Sequence, residues 1–329
     1  MAARAGVSPA TVSRYFNHPD LVRYETRNRI AAVAQDLGYV RNRAAGSLNR
    51  GRSDAVGLVV PSVENVIFAE LIQEFASTLY AAEYALLISA HGYDLFQEGF
   101  LVRSMLEHQV DGVVLVGGLH SEETFGLLTA NNIPALTVWN WSRQARLPCI
   151  GIDNRELGRL AARHLFDLGH RDIACFFPDA TGNDRAADRR DGAFATLAKK
   201  QASVPSNRRI VCPYDVVIAK GLVADVLGAR NRPTAILAGN DIIAQAAVYA
   251  AASAGLRIPD DLSIIGIGDF HGSAALEPAL TTVRIPARQM AVGAAEAIVE
   301  LIEGRADPDD LSSRLVPEVV VRGSTGPAA

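Results

Sequence analysis

The rhythm of apolar and polar positions changes at residue 55. Beyond it, short apolar runs rich in β-branched residues alternate with helix-length stretches. The runs are Ala55–Pro61, Ala85–Ala90, Gly112–Gly117 and Ala135–Trp139, then Ile173–Phe177, Arg209–Cys212, Thr234–Ala238 and Leu262–Ile267. This alternation predicts parallel sheets covered by helices on both faces. Two such sheets in tandem make two lobes, with ligand expected at the carboxyl ends of the strands. No repeat is evident beyond this architectural one.

Before residue 55 the pattern is that of short helices. Ala2-Ala3-Arg4-Ala5 is helix-forming, and Gly6 supplies a left-handed stop. Ser8 is a good N-cap for the next helix, and Pro9 suits its first position. Val12 and Phe16 lie one turn apart and can face a core, so Pro9, Ala10, Ser13 and Arg14 project elsewhere. Ile30, Val33 and Leu37 keep helical spacing and predict a third helix that closes that core. Two short helices joined by a glycine-containing turn match a helix-turn-helix, whose second helix enters the DNA major groove.

Charge supports this division. The chain of 329 residues carries a formal charge of −4. Residues 1–52 hold nine arginines against three acids, a net +6, which leaves −10 for the rest. A small basic head on an acidic body suggests a polyanion-binding module joined to something else. No run offers the roughly 18–20 uninterrupted apolar residues of a membrane span, and the N-terminus lacks the apolar region of an export signal. A cytoplasmic protein without membrane partners is expected. Cys149, Cys175 and Cys212 are widely spaced, show no metal-ligand pattern and read as reduced core thiols.

Ala-x-x-Ala-Gly-Val-Ser-x-x-Thr-Val-Ser-Arg, here Ala2 to Arg14, resembles the headpiece of the lactose-repressor/galactose-repressor (LacI/GalR) family. Asn17, Thr26-Arg27 and Leu37-Gly38-Tyr39 fall where that family has them. The resemblance implies that Pro9, Ala10 and Arg14 face base edges while Ser8, Thr11, Ser13 and Asn17 hold phosphates. Arg14 has the planar fork that can bind guanine O6 and N7 together. Asn42 to Leu48 resembles the family's hinge helix, with Leu48 matching its minor-groove wedge. Gly46 departs from that pattern and weakens the helix, so hinge order is expected only on DNA. The chain begins inside the family's first helix, without its cap, and Arg23 replaces the usual small cap of the third.

The resemblance continues collinearly through the body, from Asp111-Gly112-Val113-Val114 to Val321-Arg322-Gly323-Ser324. It implies an all-α helix-turn-helix headpiece at 1–41, a hinge and linker at 42–54, and a periplasmic-binding-protein-like α/β core at 55–329. The N-lobe would hold about 55–151 and 285–315, the C-lobe about 152–284 and 316–329. It further implies a homodimer reading a pseudo-palindromic operator, and an effector site lined by Phe68, Trp139, Asn140, Arg189, Asn240, Asp241 and Asp269.

That pocket departs from the family. Gly266-Ile267-Gly268-Asp269 puts glycine where the family usually has an acid, and Trp139 replaces another frequent acid. Trp139 and Trp141 bracket Asn140 and by strand alternation share one face. An indole there can stack on a sugar face or a heterocycle, or pack the core. A sugar or sugar derivative is the family's kind of effector. Losing two acceptors while gaining an indole points to something bulkier, flatter or more acidic.

An enzyme is disfavoured: Gly-x-Ser-x-Gly, a phosphate-binding loop and His-Glu-x-x-His are all absent, and His170 reads as structural. No cofactor and no metal is expected. A solute-binding protein without DNA function is the alternative, but it has no use for residues 2–48. A DNA-binding regulator, more specifically a repressor, is the expected function.

Overall fold

The computed structural model describes residues 1–39, 52–202 and 204–328, and only the backbone of Asn17. Asn42, Leu48 and most of the expected hinge thus lie outside the described residues. The chain divides into two compact units, Met1–Ser53 and Asp54–Ala329.

In the first unit, helices α1 (Ala2–Ala5), α2 (Pro9–Asn17) and α3 (Tyr24–Asp36) surround a small core of Ala5, Val22 and Ile30. Gly6 ends α1 at φ 62°, a conformation that costs glycine little. The Ser8 hydroxyl accepts from the Thr11 N–H, and Pro9 follows at the first helical position. Met1 and Arg23 supply no side-chain cap to α1 and α3. Leu37 is not part of the core: it is the C-cap of α3 and 40% exposed. Its place at the helix end turns it outward. The half-buried Phe16 instead meets the Tyr39 ring, 5.6 Å between centroids.

The second unit has two six-stranded sheets. Strands β1 (Ala55–Val60), β2 (Ala85–Ala90), β3 (Gly112–Val116), β4 (Ala135–Asn140), β5 (Cys149–Ile152) and β11 (Ser313–Leu315) form the N-lobe sheet. Its order is β11-β5-β4-β3-β1-β2, and every pairing is parallel. In the C-lobe sheet are β6 (Ile173–Phe177), β7 (Arg209–Val211), β8 (Ala235–Ala238), β9 (Ser263–Gly268), β10 (Thr281–Arg284) and β12 (Glu318–Val320). Its order is β12-β10-β9-β8-β6-β7, with only β12 antiparallel. Central strands such as β1 and β9 are buried at every position, as double-sided packing requires, whereas the edge strand β2 is largely open to solvent. The sequence runs missed β5, β10, β11 and β12, which have four residues or fewer.

Helices α4 (Ala69–Ala81), α5 (Leu95–Glu107), α6 (Glu122–Ala130) and α11 (Ala287–Glu303) cover the N-lobe sheet. The C-lobe carries α7 (Asn154–Asp167), α8 (Asp184–Lys199), α9 (Val216–Leu227) and α10 (Asp241–Ser253). The chain passes between lobes after β5, after β10 and between β11 and β12. At the first passage Asp153 caps α7 through the Arg155 and Glu156 amides. One apolar cluster runs through both lobes, from Val56 and Phe75 to Leu237 and Ile267. Outer clusters lie in each lobe. His170 bonds Thr234 Oγ1 and the Gly326 carbonyl, a structural role. The three cysteines are buried and free.

Candidate functional site

In the first unit the capped start of α2 arranges a polar face. Ser8, Pro9, Ala10, Ser13 and Arg14 are exposed, and Thr11 is half-buried with its hydroxyl 2.9 Å from Ser8 Oγ. Val12 and Phe16 turn toward the core side. The face therefore offers hydroxyls, a helix N-terminus and one guanidinium, which is what a phosphate backbone and a guanine edge can use.

In the second unit the expected effector residues all sit at carboxyl ends of strands or on the helices that follow them. Phe68 and Trp139 are buried and meet edge to face, 5.1 Å between centroids. Trp139 has φ 85°, so the chain leaves the extended conformation there and the alternation stops. The two indoles consequently do not share a face: Trp139 is fully buried, whereas Trp141 is half-buried with the Arg314 guanidinium 4.9 Å from its ring centre.

Asn140 joins the lobes. Its Nδ2 donates to Asp184 Oδ2 (2.7 Å) and its Oδ1 accepts from Asn154 Nδ2 (2.9 Å). Asp184 opens α8 and also accepts from the Gly118 N–H (2.7 Å), which follows β3. Arg185 pairs with Asp184 Oδ1 (2.8 Å) and donates to the Val116 carbonyl across the gap (3.2 Å). Burial works to raise the Asp184 carboxyl, but Arg185 and the donated hydrogen bonds outweigh it and hold it below the usual range. Tyr93, after β2, stacks on Tyr214, after β7, at 6.3 Å. Glycine at 182 permits this closeness, because a Cβ there would fall on the Tyr93 carbonyl.

Arg189 lies one turn beyond Arg185 on α8 and is 2% exposed. Its Nε donates to Asn154 Oδ1 (2.8 Å) and its Nη1 to the Gly239 carbonyl (3.3 Å). Burial, with Arg185, pushes its pKa down, against the opposing influence of Tyr214, Tyr93 and the Asp241 carboxylate. Asn240 is fully buried and caps α10 through Oδ1, leaving Nδ2 unpartnered.

Two residues expected to face ligand have their carboxylates committed inside the C-lobe. Asp241 accepts from Thr282 Oγ1 (2.6 Å), Ser273 Oγ (2.7 Å) and the Phe270 N–H (3.1 Å), and burial raises its pKa. Asp269 is held by Arg284 (2.7 Å) and Arg322 (2.6 Å). Gly268, with φ 146°, has no room for an acid: a Cβ would come within 2.6 Å of Phe270 Cδ1.

Sequence reasoning missed Asp184, Arg185, Tyr93, Tyr214, Asn154 and Phe270. The one available signal was the spacing of Arg185 and Arg189, which places both on one helix face. The described residues hold no cluster of three or more metal-ligating side chains. Nor is any described helix long and apolar enough to cross a membrane.

The description of bacterial regulatory proteins of the lacI family matches residues 1–42, and that of a periplasmic binding protein-like domain matches residues 162–325. The chain is similar to the HTH-type transcriptional regulator DegA of Bacillus subtilis, 31% identical over 335 residues, 99% of this chain and 97% of that one. It is also similar to the HTH-type transcriptional repressor PurR of Klebsiella pneumoniae, 28% identical over 326 residues, 98% of this chain and 95% of that protein. Among solved structures, the transcription regulator GntR from Chromobacterium violaceum is 28% identical with a TM-score of 0.77, covering 82% of this chain and 99% of that one.

Proposed function

The chain belongs to the lacI family of bacterial regulatory proteins, and from that premise we propose a repressor that binds operator DNA in the cytoplasm under control of a small molecule held between its lobes. One observation carries this reading. A basic unit with a capped, outward-facing α2 shares the chain with a two-lobed unit whose gap is lined by buried polar groups.

In this reading Arg14 reads a guanine, Pro9 and Ala10 make apolar contacts to bases, and Ser8, Thr11, Ser13 and Asn17 bind phosphates. Asn42 and Leu48 belong to a linker, about 42–54, that orders on DNA. The protein acts as a homodimer, since a two-fold protein matches a pseudo-palindromic site. Phe68, Trp139, Arg189 and Asn240 face the effector. Asn140 is assigned to the latch that its bonds to Asp184 and Asn154 form. Asp241 and Asp269 shape the site from behind. Control works through that latch, because Gly118, Asn140 and Val116 of one lobe bond Asp184 and Arg185 of the other. A ligand shifts the lobe equilibrium by its differential affinity for the latched and unlatched arrangements. Catalysis has no part in this.

The test is fluorescence anisotropy with palindromic duplexes carrying a central CG step, at fixed salt. Wild type should select among them. Arg14→Ala should lose about 1–3 kcal/mol per half-site and relax selectivity at one base pair. A wild type that binds operator-like and scrambled duplexes equally would refute the reading.

A further inference from the structure

The gap between the lobes has an unbalanced chemistry. Arg189 is fully buried, yet its two bonds go to neutral oxygens and it forms no ion pair among the described residues. Arg185 is 5% exposed, and its Nη2 has no partner. Trp139 Nε1 and Asn240 Nδ2 are likewise unpartnered in fully buried side chains. All four features are hydrogen-bond donors or positive charge.

The nearby carboxylates have partners of their own: Asp188 pairs with Arg155 (2.9 Å), and Glu70, which lines the space beside Trp139, lies 4.0 Å from Arg288. Asp184 is engaged by Arg185, Gly118 and Asn140. Asp241 is engaged by three donors of its own lobe, and Asp269 by two arginines. A neutral sugar hydroxyl both donates and accepts, so it needs free acceptors that these acids no longer offer. A buried guanidinium with no carboxylate bonded to it is costly and is relieved by an anion that accepts from its planar fork.

Resting on the regulator reading, we infer that the interlobe effector is an organic anion with a single carboxylate seated against Arg189 and the free edge of Arg185. Charge balance selects carboxylate over phosphate. Asp184 already pairs with Arg185, which leaves Arg189 as the one guanidinium of the two with no carboxylate bonded to it, a match for a monoanion rather than a phosphate dianion. The body of the ligand lies among Phe68, Trp139, Tyr93 and Tyr214, with Trp139 Nε1 and Asn240 Nδ2 available to its oxygens.

The experiment uses the full chain carrying Trp141→Phe, which leaves Trp139 as the single tryptophan reporter. Its emission and thermal midpoint are followed while D-glucuronate, D-galacturonate, D-glucose, D-galactose, acetate and inorganic phosphate are titrated at constant ionic strength. The expected result is a saturable response to the uronates, at least about tenfold tighter than to the matched hexoses. Acetate should act more weakly, and Arg189→Gln should abolish the preference for acid over neutral sugar. The uronate-hexose comparison needs no variant, so it stands if Arg189→Gln folds poorly.

Hexoses binding as tightly as uronates would overturn the inference. So would phosphate binding more tightly than acetate, or no carboxylate producing a saturable response. Operator binding is measured on the same preparations. Selective DNA binding without any carboxylate response removes this inference and leaves the regulator reading, whereas absent selectivity removes that reading itself.

Discussion

Replacing Gly158 by alanine should destabilise the two-lobed unit, against the ordinary helix preference for alanine. Gly158 lies on α7 where it crosses α8. A Cβ there would stand 2.7 Å from the Arg189 carbonyl carbon, closer still to its oxygen, and 2.9 Å from the Ala193 amide nitrogen. Gly192 repeats the contact from α8, with a Cβ 2.8 Å from the Arg155 carbonyl carbon. All these neighbours are backbone, so no side-chain rotation relieves the overlap. Non-bonded carbons prefer about 3.5–4.0 Å, so α8 must retreat by roughly 1 Å.

Overpacking of this kind costs about 1–3 kcal/mol, and alanine returns about 0.8–1 kcal/mol of helix propensity. The net expectation is a loss of up to about 2 kcal/mol. The latch should suffer as well, because α8 carries Asp184 and Arg185. A 2.7 Å bond from Gly118 or Asn140 to Asp184, lengthened by roughly 1 Å, passes the distance at which a hydrogen bond counts as one. The assay is urea unfolding, with Gly126→Ala and Gly221→Ala as controls. Both controls are exposed glycines inside α6 and α9, where an added Cβ would meet nothing within 4 Å. They should raise the midpoint by the propensity gain alone. If Gly158→Ala moves the midpoint in the same direction as these two, the close-crossing argument fails.

Three further outcomes are expected. Asp241→Ala leaves the donors of Phe270, Ser273 and Thr282 unpaired, at about 1–3 kcal/mol each. Its urea midpoint should drop well below that of Asp241→Asn, which keeps an acceptor; equal midpoints would argue against the network. Burial lowers the pKa of His91, His164 and His170 below 6.5. The unfolded chain therefore binds more protons, and stability should fall as pH drops from about 7 through 6.5 toward the native values. Asp241, raised by burial, works the other way at lower pH. Stability measured against pH should show a shallower fall in His91→Gln; an unchanged slope would remove His91 from the account. Burial also pushes the Cys175 thiol up to about 12 and the Cys212 thiol up to about 11. With Cys149 buried too, a chromogenic disulfide reagent at pH 8 should label none of the three before urea unfolds the chain, and rapid native labelling of any would contradict this.

The lobes were legible where a strand falls inside an apolar run of the sequence. Ala85–Ala90 and Ile173–Phe177 match their sequence runs residue for residue. Strands β5, β10, β11 and β12 fall in none of those runs, unlike the equally short β7 and β8, and Ser313-Arg314-Leu315 is mostly polar. Caps are equally local, which is why Ser8 could be placed and the lack of a cap at Arg23 foreseen.

The site follows a different logic, since the role of an acid depends on partners that are distant in sequence. Asp241 and Asp269 have the composition of ligand-binding carboxylates. Their donors come from as far away as Thr282, 41 positions from Asp241, and Arg322, 53 positions from Asp269. Gly118 and Asp184, 66 positions apart, meet only once two sheets and a lobe crossing exist. No spacing rule reports such pairings, and none reports the positive φ that turns Trp139 inward. Gly268 shows what the sequence could nevertheless supply. Read alone, it is a missing acid; in the fold, it is the space beside the Phe270 ring. Both readings subtract an acceptor from the gap, and the commitment of Asp184, Asp241 and Asp269 to protein donors subtracts the others. Among the described residues Arg185 Nη2, Trp139 Nε1 and Asn240 Nδ2 are left without an acceptor and Arg189 bonds only neutral oxygens, so in the proposed reading the preference of the site is set less by which acids it contains than by which of them are already occupied.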